Sequence, residues 1–358
     1  MKTIYINFCG FSDEFDSTHN VVFPCSLKHY DVVISNEPQY LFCSLFRRFY
    51  DYCKYPCVRI IYSGENYFPD LNLIDYSISS YKYDVNGRNV FFPECFMGMS
   101  NNSHFIALLD KNRNYLSDFL LSKPLFANFI TSHESENGLG GAFFKRLNSI
   151  KRVESAGSFL NNMPNGEKVD RLDGSKVALQ KKCKFTLCFE STCHETFISE
   201  KIIDAFYSDT IPIYCGSTVV EKIFNPKAFI HIRSENDFDA AIKKIIELDS
   251  NDEKYLEMLR QPIFTENDYY SKKIEELDSF LTGIIDKPYH LAFRRPLVYF
   301  PKYYNDYLLS VKMSNDPSIL PRFKIRQLFG AITYKLLRFF AFTKVILSNN
   351  QFQFVIKY

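Results

Sequence analysis

The sequence predicts an α/β protein built from two doubly wound domains that face each other across a cleft. Three observations support this prediction. The chain has 358 residues, which corresponds to about two domains of roughly 150 residues each. Short apolar runs bounded by turns recur along it, as in the buried strands of parallel sheets. Residues 184–214 read as a strand, a loop, a helix and a strand, a unit that the right-handed crossover rule places in one parallel sheet.

The first domain is expected over residues 1–122. The aromatic stretch from Tyr40 to Tyr52 is expected to form a helix that covers the sheet. The runs at 31–35 and 58–62 are both expected to be buried strands because they are short and apolar. The predicted strands of this domain are 1–8, 31–35, 58–62, 76–79 and 89–92.

The second domain is expected over residues 123–290. A polar loop over 161–174, which contains Pro164, Gly166 and Gly174, separates its first elements from the rest. The predicted strands are 127–131, 184–189 and 210–214, and the predicted helices are 142–150, 199–206 and 238–248.

Residues 291–358 form a C-terminal extension with a basic end. From Pro321 to Tyr358 there are seven basic residues and no acidic ones, so the first 320 residues carry 36 basic and 41 acidic side chains. Apolar residues recur there with helical spacing, and a basic amphipathic helix suits an anionic membrane surface. A terminal helix packed on the core explains the same pattern. The net charge of the whole chain, +2, is too small to indicate nucleic-acid binding.

The compartment is predicted to be the cytoplasm, with the basic tail on the inner face of the membrane. The apolar start of the chain is short and soon followed by Asp13, Glu14 and Asp16, which favours a strand over a signal peptide. No uncharged apolar run reaches the roughly 18 residues of a spanning helix. The ten cysteines are therefore expected to be reduced, mostly buried thiols.

The stretch from Glu190 to Lys201 is the strongest candidate for chemistry. It lies between the end of a predicted strand and the start of a predicted helix, where open α/β sheets bind ligands. The first helical amides and Lys201 offer positive charge to a diphosphate, and the carboxylates of Glu190 and Glu200 can accept hydrogen bonds from hydroxyl groups. A simpler explanation is that Ser199 caps the helix and Glu200 favours its positive end.

This stretch resembles the signature of the bacterial-type α-1,3/4-fucosyltransferases of glycosyltransferase family 10. Two further blocks, 62–76 and 151–162, are similar to other segments of that family, so the resemblance covers most of residues 1–290 in order. The signature reads here as Lys184-Phe185, Phe189-Glu190-Ser191-Thr192, Phe197-Ile198-Ser199-Glu200-Lys201, Ile211-Pro212-Ile213-Tyr214-Cys215-Gly216 and Phe229-Ile230-His231-Ile232.

The resemblance implies a GT-B glycosyltransferase fold, with GDP-L-fucose bound by the C-terminal domain and an N-acetylglucosamine-containing glycan, free or lipid-linked, bound by the N-terminal domain. It implies transfer with inversion to give an α-1,3 or α-1,4 linkage. It also implies that no metal cofactor is required, with at most a non-essential stimulation by a divalent cation. Two alternatives stay open: the same fold using another nucleotide sugar, and a catalytically silent, membrane-associated relative that binds glycans.

The resemblance also implies roles for particular residues. Glu65 occupies the position of the general base that takes the proton of the acceptor hydroxyl, although by itself it reads as a solvated turn carboxylate. Glu190, Glu200 and Lys201 are implied as contacts of the sugar donor, with Lys201 offsetting the charge of the departing diphosphate. Ser132 matches a serine at the end of the first strand of the donor-binding domain.

Three departures from the family pattern leave the identity of the sugar donor open. Gly140 stands where the family usually has an arginine that contacts the pyrophosphate. Neighbouring glycines could let backbone amides approach a phosphate instead, with Lys145 or Arg146 supplying charge. Ser191 replaces an asparagine and Phe197 replaces a tyrosine, so two hydrogen bonds to the donor are expected to be lost or altered.

Two weaker metal-site candidates have structural explanations. Asp237-Phe238-Asp239 resembles the Asp-x-Asp metal motif of other glycosyltransferases, but it follows Ser234 at the start of a predicted helix, so helix capping explains it. The remaining set lacks the spacing of zinc ligands; it consists of Cys183, Cys188, Cys193 and His194.

Overall fold

The structure is a computed structural model that describes residues 1–12, 15, 26–45, 51–65, 67–83, 85–97, 99–109, 111–170, 173–192, 194–266, 268–297 and 300–315. The chain divides into two compact units, one of residues 1–47 and 57–295 and one of residues 48–56 and 296–358. The predicted amphipathic tail from Pro321 to Tyr358 lies outside the described residues.

The larger unit contains two parallel sheets. The first has six strands in the order β2-β1-β3-β4-β5-β6, with every neighbouring pair parallel. Central strands β3 and β4 are buried at every position, as expected where helices or other layers cover both faces of a sheet. The strands are β1 (Thr3–Cys9), β2 (Asp31–Ile34), β3 (Tyr40–Cys43), β4 (Val58–Ser63), β5 (Tyr76–Ser79) and β6 (Asn89–Phe91).

Two predictions for the first sheet are wrong. The run Tyr40–Cys43 is a central strand and not the start of a covering helix, since a short apolar run fits a buried strand as well as a helix. The run 31–35 is a strand, but it is not buried. It pairs only with β1 at the edge of the sheet, and Ile34 is 55% exposed there.

The second sheet has five parallel strands in the order β11-β10-β9-β7-β8. The chain goes from β7 to β8 on one side and then crosses to β9 on the other, so the strand order reverses between β7 and β9. Such a reversal marks the ligand-binding crevice in open α/β sheets. The strands are β7 (Leu125–Phe129), β8 (Val153–Glu154), β9 (Cys183–Phe189), β10 (Ile211–Cys215) and β11 (Ile230–Ile232).

Helices cover these sheets and connect them. The helices of the larger unit are α1 (Met99–Leu109), α2 (Leu139–Asn148), α3 (Ser175–Lys181), α4 (Glu200–Tyr207), α5 (Val220–Ile223), α6 (Phe238–Asp249), α7 (Asp252–Leu259) and α8 (Tyr269–Ile285). We call the first sheet with its covering elements the first lobe, and the second sheet with its covering elements the second lobe. Helix α1 of the first lobe packs against α4 of the second.

One apolar cluster joins the two lobes. It contains Ile60 of the first sheet, Phe105 of α1, Ile202 of α4 and Tyr214 of the second sheet, all fully buried. A separate cluster fills the space between the second sheet and helices α2, α6 and α7. The lobes therefore share part of their hydrophobic core.

Helix α8 returns to the first lobe after the second sheet is complete. Its Phe280 ring packs edge to face on Tyr76 of β5, with ring centres 6.0 Å apart. The carbonyl of Ile285 at its end accepts a hydrogen bond from Lys2 Nζ at 2.5 Å. The predicted second domain ends at residue 290, whereas the segment from Tyr269 onward packs with the first sheet.

Three remaining observations concern the smaller unit, the search for membrane-spanning helices and the cysteines. The smaller unit contains helix α9 (Phe300–Asn315), whose Asn305 side chain donates a hydrogen bond to the carbonyl of Cys53 at 3.3 Å. None of the helices described has the length and apolar character needed to span a membrane. The eight cysteines within the described ranges are thiols, and seven of them are buried.

Candidate active site

The crevice at the reversal of the second sheet holds the charged residues that the sequence singled out. Strands β7 and β9 lie side by side, with Phe129 opposite Leu187. Their carboxyl ends therefore lead at one edge into the loop of Ser132 and into Glu190. Helix α4 begins at Glu200 in front of the same edge, so a loop and a helix start converge at the crevice.

Glu190 is the centre of a buried polar cluster. Its side chain has no exposed surface, and its Oε1 accepts a hydrogen bond from the Ser199 backbone N–H at 2.8 Å. Its Oε2 accepts from Ser199 Oγ at 2.6 Å and from Lys201 Nζ at 3.2 Å. A Cβ on Gly216 would lie 2.6 Å from Glu190 Cγ, so only glycine leaves room for this carboxylate.

Lys201 is held in its charged form by its neighbours. Burial alone would lower the pKa of its ammonium group, but the carboxylates of Glu190 and Glu200 outweigh burial and raise that pKa. Its Nζ lies 3.0 Å from Ser199 Oγ in addition to the Glu190 contact. An ammonium group has three N–H donors, so these two partners leave a third for an oxygen of a ligand.

A second layer of charge behind this cluster has no counterpart in the sequence analysis. Lys176 of α3 contacts Asp204 Oδ2 at 2.7 Å and Glu200 Oε1 at 3.6 Å. Asp204 in turn meets His104 Nδ1 of α1 at 2.8 Å, across the boundary between the lobes. Burial raises the pKa of Asp204, but the hydrogen bond of His104 and the charge of Lys176 lower it overall. No local sequence pattern marks these residues because they meet only in the folded chain.

The turn that carries Glu65 lies beside this cluster. Glu65 is exposed and follows β4 directly after Gly64. A Cβ on Gly64 would lie 2.5 Å from Glu94 Cγ, and the charge of Glu94 contributes to the raised pKa of Lys201. Glu94 thus neighbours both the turn of Glu65 and Lys201, and the approach of Glu65 itself to the sugar donor stays a prediction.

The geometry around Gly140 weighs against a backbone phosphate site there. The first amides of α2 already have acceptors: Ser135 Oγ accepts from Gly140 N–H at 2.9 Å, and Glu134 Oε1 accepts from Gly141 N–H at 2.9 Å. Lys145 and Arg146, the two residues expected to supply charge to the phosphate, lie in the last turn of this helix and not in the first. Arg146 also pairs with Asp239. Contact between Gly140 and the sugar donor stays a prediction.

Of the three other predicted contacts of the sugar donor, two are exposed and one is buried. Ser132 is exposed on the loop after β7, and Ser191 is exposed beside Glu190, where its carbonyl accepts a hydrogen bond from Glu136 N–H at 2.9 Å. Phe197 is only 6% exposed. Its ring therefore belongs to the packing of the loop before α4, and its contact with a donor stays a prediction.

Helix capping explains the first of the two weaker metal-site candidates. Ser234 and Asp237 form a reciprocal capping box, in which each side chain bonds to the backbone of the other. Within the described residues no group of three or more acidic, histidine or cysteine side chains is arranged to hold a metal ion. Cys188 is buried and donates to the Lys201 carbonyl at 3.3 Å, while Cys193 lies outside the described residues.

The arrangement suits the binding of an anionic ligand such as a diphosphate. A cation with an available N–H lies at the amino end of α4, where the helix dipole also favours negative charge. The exposed carboxylate of Glu65 on the other lobe can accept a proton. Buried carboxylates keep the cation charged and fix its position.

Comparison with known proteins places the chain among sugar-transferring enzymes. A family model described as the alpha-(1,3)-fucosyltransferase FucT N-terminal domain matches residues 6–97. A second, described as glycosyltransferase family 10 (fucosyltransferase) C-term, matches residues 120–268. Together they cover more than half of the chain and follow the order of the two lobes.

Individual relatives are similar to this chain over only part of their own length. The alpha-(1,3)-fucosyltransferase FucT of Helicobacter pylori is 33% identical over 229 residues, which are 56% of this chain and 46% of that protein. The human 4-galactosyl-N-acetylglucosaminide 3-alpha-L-fucosyltransferase 9 is 33% identical over 76 residues, 21% of either chain. This chain thus spans less than half the length of these curated relatives.

Solved structures match over most of the chain. A crystal structure of an alpha1,3-fucosyltransferase superposes with a TM-score of 0.65 at 26% identity, covering 83% of this chain and 93% of that one. A structure of an alpha1,3-fucosyltransferase with GDP-fucose gives a TM-score of 0.60 at 26% identity, covering 78% and 91%. The two lobes thus form a GT-B fold, and the chain belongs to glycosyltransferase family 10, the fucosyltransferases.

Proposed function

We propose that this protein transfers L-fucose from GDP-L-fucose to a hydroxyl group of an N-acetylglucosamine-containing glycan, with inversion, to form an α-1,3 or α-1,4 linkage. The buried cluster of Glu190, Ser199 and Lys201 at the reversal of the second sheet carries this proposal. It supplies a fixed cation where a diphosphate would bind in a family 10 member. The human relative is named for action on a 4-galactosyl-N-acetylglucosaminide, so that disaccharide is the first acceptor to test.

In this proposal each residue has one task. Glu65 accepts the proton of the acceptor hydroxyl as that oxygen attacks the fucose carbon. Lys201 uses its remaining N–H to offset the charge that develops on the departing diphosphate. Glu190 holds Lys201 in place, and Glu200 orients the sugar donor from the first turn of α4.

The sugar donor is tested by calorimetric titration of the protein with GDP-fucose, GDP-mannose and UDP-sugars at equal concentration. Selective binding of GDP-fucose is expected. Selective binding of another nucleotide sugar would contradict the fucosyl assignment and favour the same fold with a different donor. Binding of glycans without binding of any nucleotide sugar would favour a catalytically silent relative.

Replacing the proposed base separates catalysis from binding. Glu65→Gln keeps the shape of the side chain but cannot accept the proton, so kcat is expected to fall by roughly 10²- to 10⁴-fold. The dissociation constant for GDP-fucose, measured by the same titration, is expected to stay unchanged. Glu37→Gln, at an exposed carboxylate between β2 and β3, is the matched control. Wild-type turnover in Glu65→Gln would exclude Glu65 as the base.

We further propose that the transfer needs no bound metal, because Lys201 is positioned to meet the diphosphate charge. Activity is expected to survive exhaustive treatment with EDTA, and a divalent cation added back is expected to stimulate it at most modestly. Complete loss with EDTA and full recovery with Mg²⁺ or Mn²⁺ would contradict this.

We propose that the enzyme works in the cytoplasm on glycans assembled at the inner face of the membrane, with its basic C-terminal residues on the anionic surface. The support is the charge pattern of Pro321–Tyr358, seven basic residues and no acidic ones. The full chain is expected to sediment with vesicles that contain anionic lipid, and a chain ending at residue 320 is expected not to. Equal sedimentation of both would contradict the proposal.

A further inference from the structure

A cluster of aromatic rings lies next to the Glu65 turn and has no part in the transfer steps above. Phe68 follows Glu65 by three residues and is 53% exposed. Its ring packs edge to face on Tyr81, with centres 5.8 Å apart, and against Tyr83, with centres 4.6 Å apart. A large apolar side chain held at the surface by two tyrosines presents an open aromatic face to solvent.

The backbone under these tyrosines is fixed by polar contacts from the first sheet. Asn89 Nδ2 of β6 donates to the carbonyl of Tyr81 at 2.9 Å and to that of Tyr83 at 3.3 Å. The Tyr83 hydroxyl also lies 2.5 Å from Ser77 Oγ of β5. The rings therefore stand on a rigid scaffold, which lowers the entropy lost when a ligand binds.

The same cluster contacts the active-site loops of both lobes. Ser80 Oγ donates to the Gly64 carbonyl at 3.0 Å, which ties the cluster to the turn of the proposed base. The Ser80 carbonyl accepts from Thr196 Oγ1 of the second lobe at 2.7 Å, and the Tyr81 ring lies 3.9 Å from the His194 ring. These contacts place the aromatic rings between the turn that carries Glu65 and the loop before α4 of the second lobe.

An aromatic face in this position suits a pyranose ring. Pyranoses carry several C–H bonds on one face, and these pack on the electron-rich face of an aromatic ring while the hydroxyl groups stay hydrated. Galactose, with its axial hydroxyl, offers a larger continuous apolar face than most hexoses. Three residues of chain span at most about 11 Å, so Phe68 lies within reach of the sugar attached to the one that reacts at Glu65.

We propose that Phe68, Tyr81 and Tyr83 form a stacking platform for the sugar next to the reacting sugar of the acceptor, and that this platform selects a galactosyl-N-acetylglucosamine disaccharide over N-acetylglucosamine alone. The proposal rests on the proposed fucosyl transfer for the position of the reacting sugar. It adds a specificity site in the first lobe, apart from the residues that hold the sugar donor.

The kinetic test compares two acceptors. Phe68→Ala is expected to raise KM for 4-galactosyl-N-acetylglucosamine by roughly three- to tenfold, as expected for one lost aromatic contact, and to leave KM for N-acetylglucosamine and for GDP-fucose unchanged. Phe68→Tyr is expected to restore the wild-type KM. Tyr5→Ala removes a ring of 44% exposure from β1 of the same lobe and is the matched control. An unchanged disaccharide KM in Phe68→Ala, or an equal rise for both acceptors, would overturn the platform.

A binding test decides the platform even without turnover. Saturation-transfer NMR is expected to show magnetisation passing from aromatic protons to the galactose C–H protons in wild type, with the signal reduced in Phe68→Ala and kept in Tyr5→Ala. Wild type that binds the disaccharide in this way but transfers no fucose would refute the proposed function alone. Fucose transfer without any galactose signal would refute the platform alone.

Discussion

Two lysines show how surroundings decide the charge of a buried side chain. Burial lowers the pKa of both. At Lys201 the carboxylates of Glu190 and Glu200 reverse the effect and keep the pKa high. At Lys123, which is 4% exposed and donates to the Ser208 carbonyl at 2.8 Å, burial dominates and lowers the pKa from 10.5 to about 8. The first lysine lies in the active-site cleft, while the second lies in the structural core.

The Lys123 shift predicts a specific dependence of stability on pH. Its folded pKa is below its unfolded value, so between about pH 8 and 10.5 the unfolded chain binds more protons and the free energy of unfolding rises with pH. The shift corresponds to about 3 kcal/mol of free energy of unfolding, and this whole amount is lost below about pH 8. Urea unfolding across this range is expected to show the rise in wild type and a flatter profile in Lys123→Met.

The exposed Lys182, at the end of α3, provides the control. Lys182→Met is expected to keep the wild-type pH profile because it leaves Lys123, the group held responsible for the rise, unchanged. An identical profile in Lys123→Met and wild type would show that Lys123 does not cause the rise.

At the scale of elements, close backbone approach positions the loops around the crevice. A Cβ on Gly157 would lie 2.1 Å from the Thr131 carbonyl oxygen, so the segment after β8 packs directly on the backbone that leads to Ser132. The Phe159 N–H donates to that same carbonyl at 3.1 Å. By contrast, a Cβ on Gly283 in α8 would meet nothing within 4 Å.

Alanine substitutions at these two glycines are expected to have opposite effects. Gly157→Ala forces the two backbones apart and is expected to lower the free energy of unfolding by about 1–3 kcal/mol or more, and to weaken GDP-fucose binding. Gly283→Ala is expected to raise the free energy of unfolding by roughly 0.5–1 kcal/mol, since alanine loses less entropy than glycine in a helix. Denaturant midpoints measure both, and a neutral Gly157→Ala would contradict the close approach.

At the scale of the whole larger unit, the chain is tied back to its first sheet by a buried ion pair. Asp75 has no exposed surface, and it accepts hydrogen bonds from the backbone N–H groups of Arg59, Arg294 and Arg295, each at 2.8 Å. The Arg295 guanidinium contacts the same carboxylate and also donates to the Cys57 carbonyl at 2.9 Å. Residues more than two hundred positions apart thus share one charge pair.

Removing one partner of this pair is expected to be costly. Asp75→Ala leaves a buried arginine without its carboxylate and is expected to lower the free energy of unfolding by about 3–5 kcal/mol. Arg295→Met is expected to cost a similar amount. Because the two residues are coupled, the double variant is expected to lose less than the sum of the single losses. Additive losses in chemical denaturation would mean that the pair does not act as a unit.

The sequence allowed the prediction of features with a local signal. The strands at 58–62, 76–79 and 184–189 were predictable because short apolar runs lie between turns, and the Ser199 cap because its hydroxyl precedes a helix. The strand Tyr40–Cys43 was missed because its run fits a strand and a helix equally. The exposure of β2, the return of α8 and the pairing of Lys176 with Asp204 depend on contacts between distant segments, which local patterns do not encode.

The return of α8 also sets the order in which the lobes can be completed during synthesis. The second lobe is built from one continuous stretch, whose strands and covering helices run from Leu125 to Leu259. The first lobe lacks α8 and the Arg295 contact until the ribosome has released residues 269–295. Although domains near the N-terminus usually fold first during synthesis, here the lobe that begins the chain is the one that finishes last. A chain stalled on the ribosome so that residues up to 268, and none beyond, have left the exit tunnel is therefore expected to hold a protease-resistant second lobe beside a first lobe that is still cleaved.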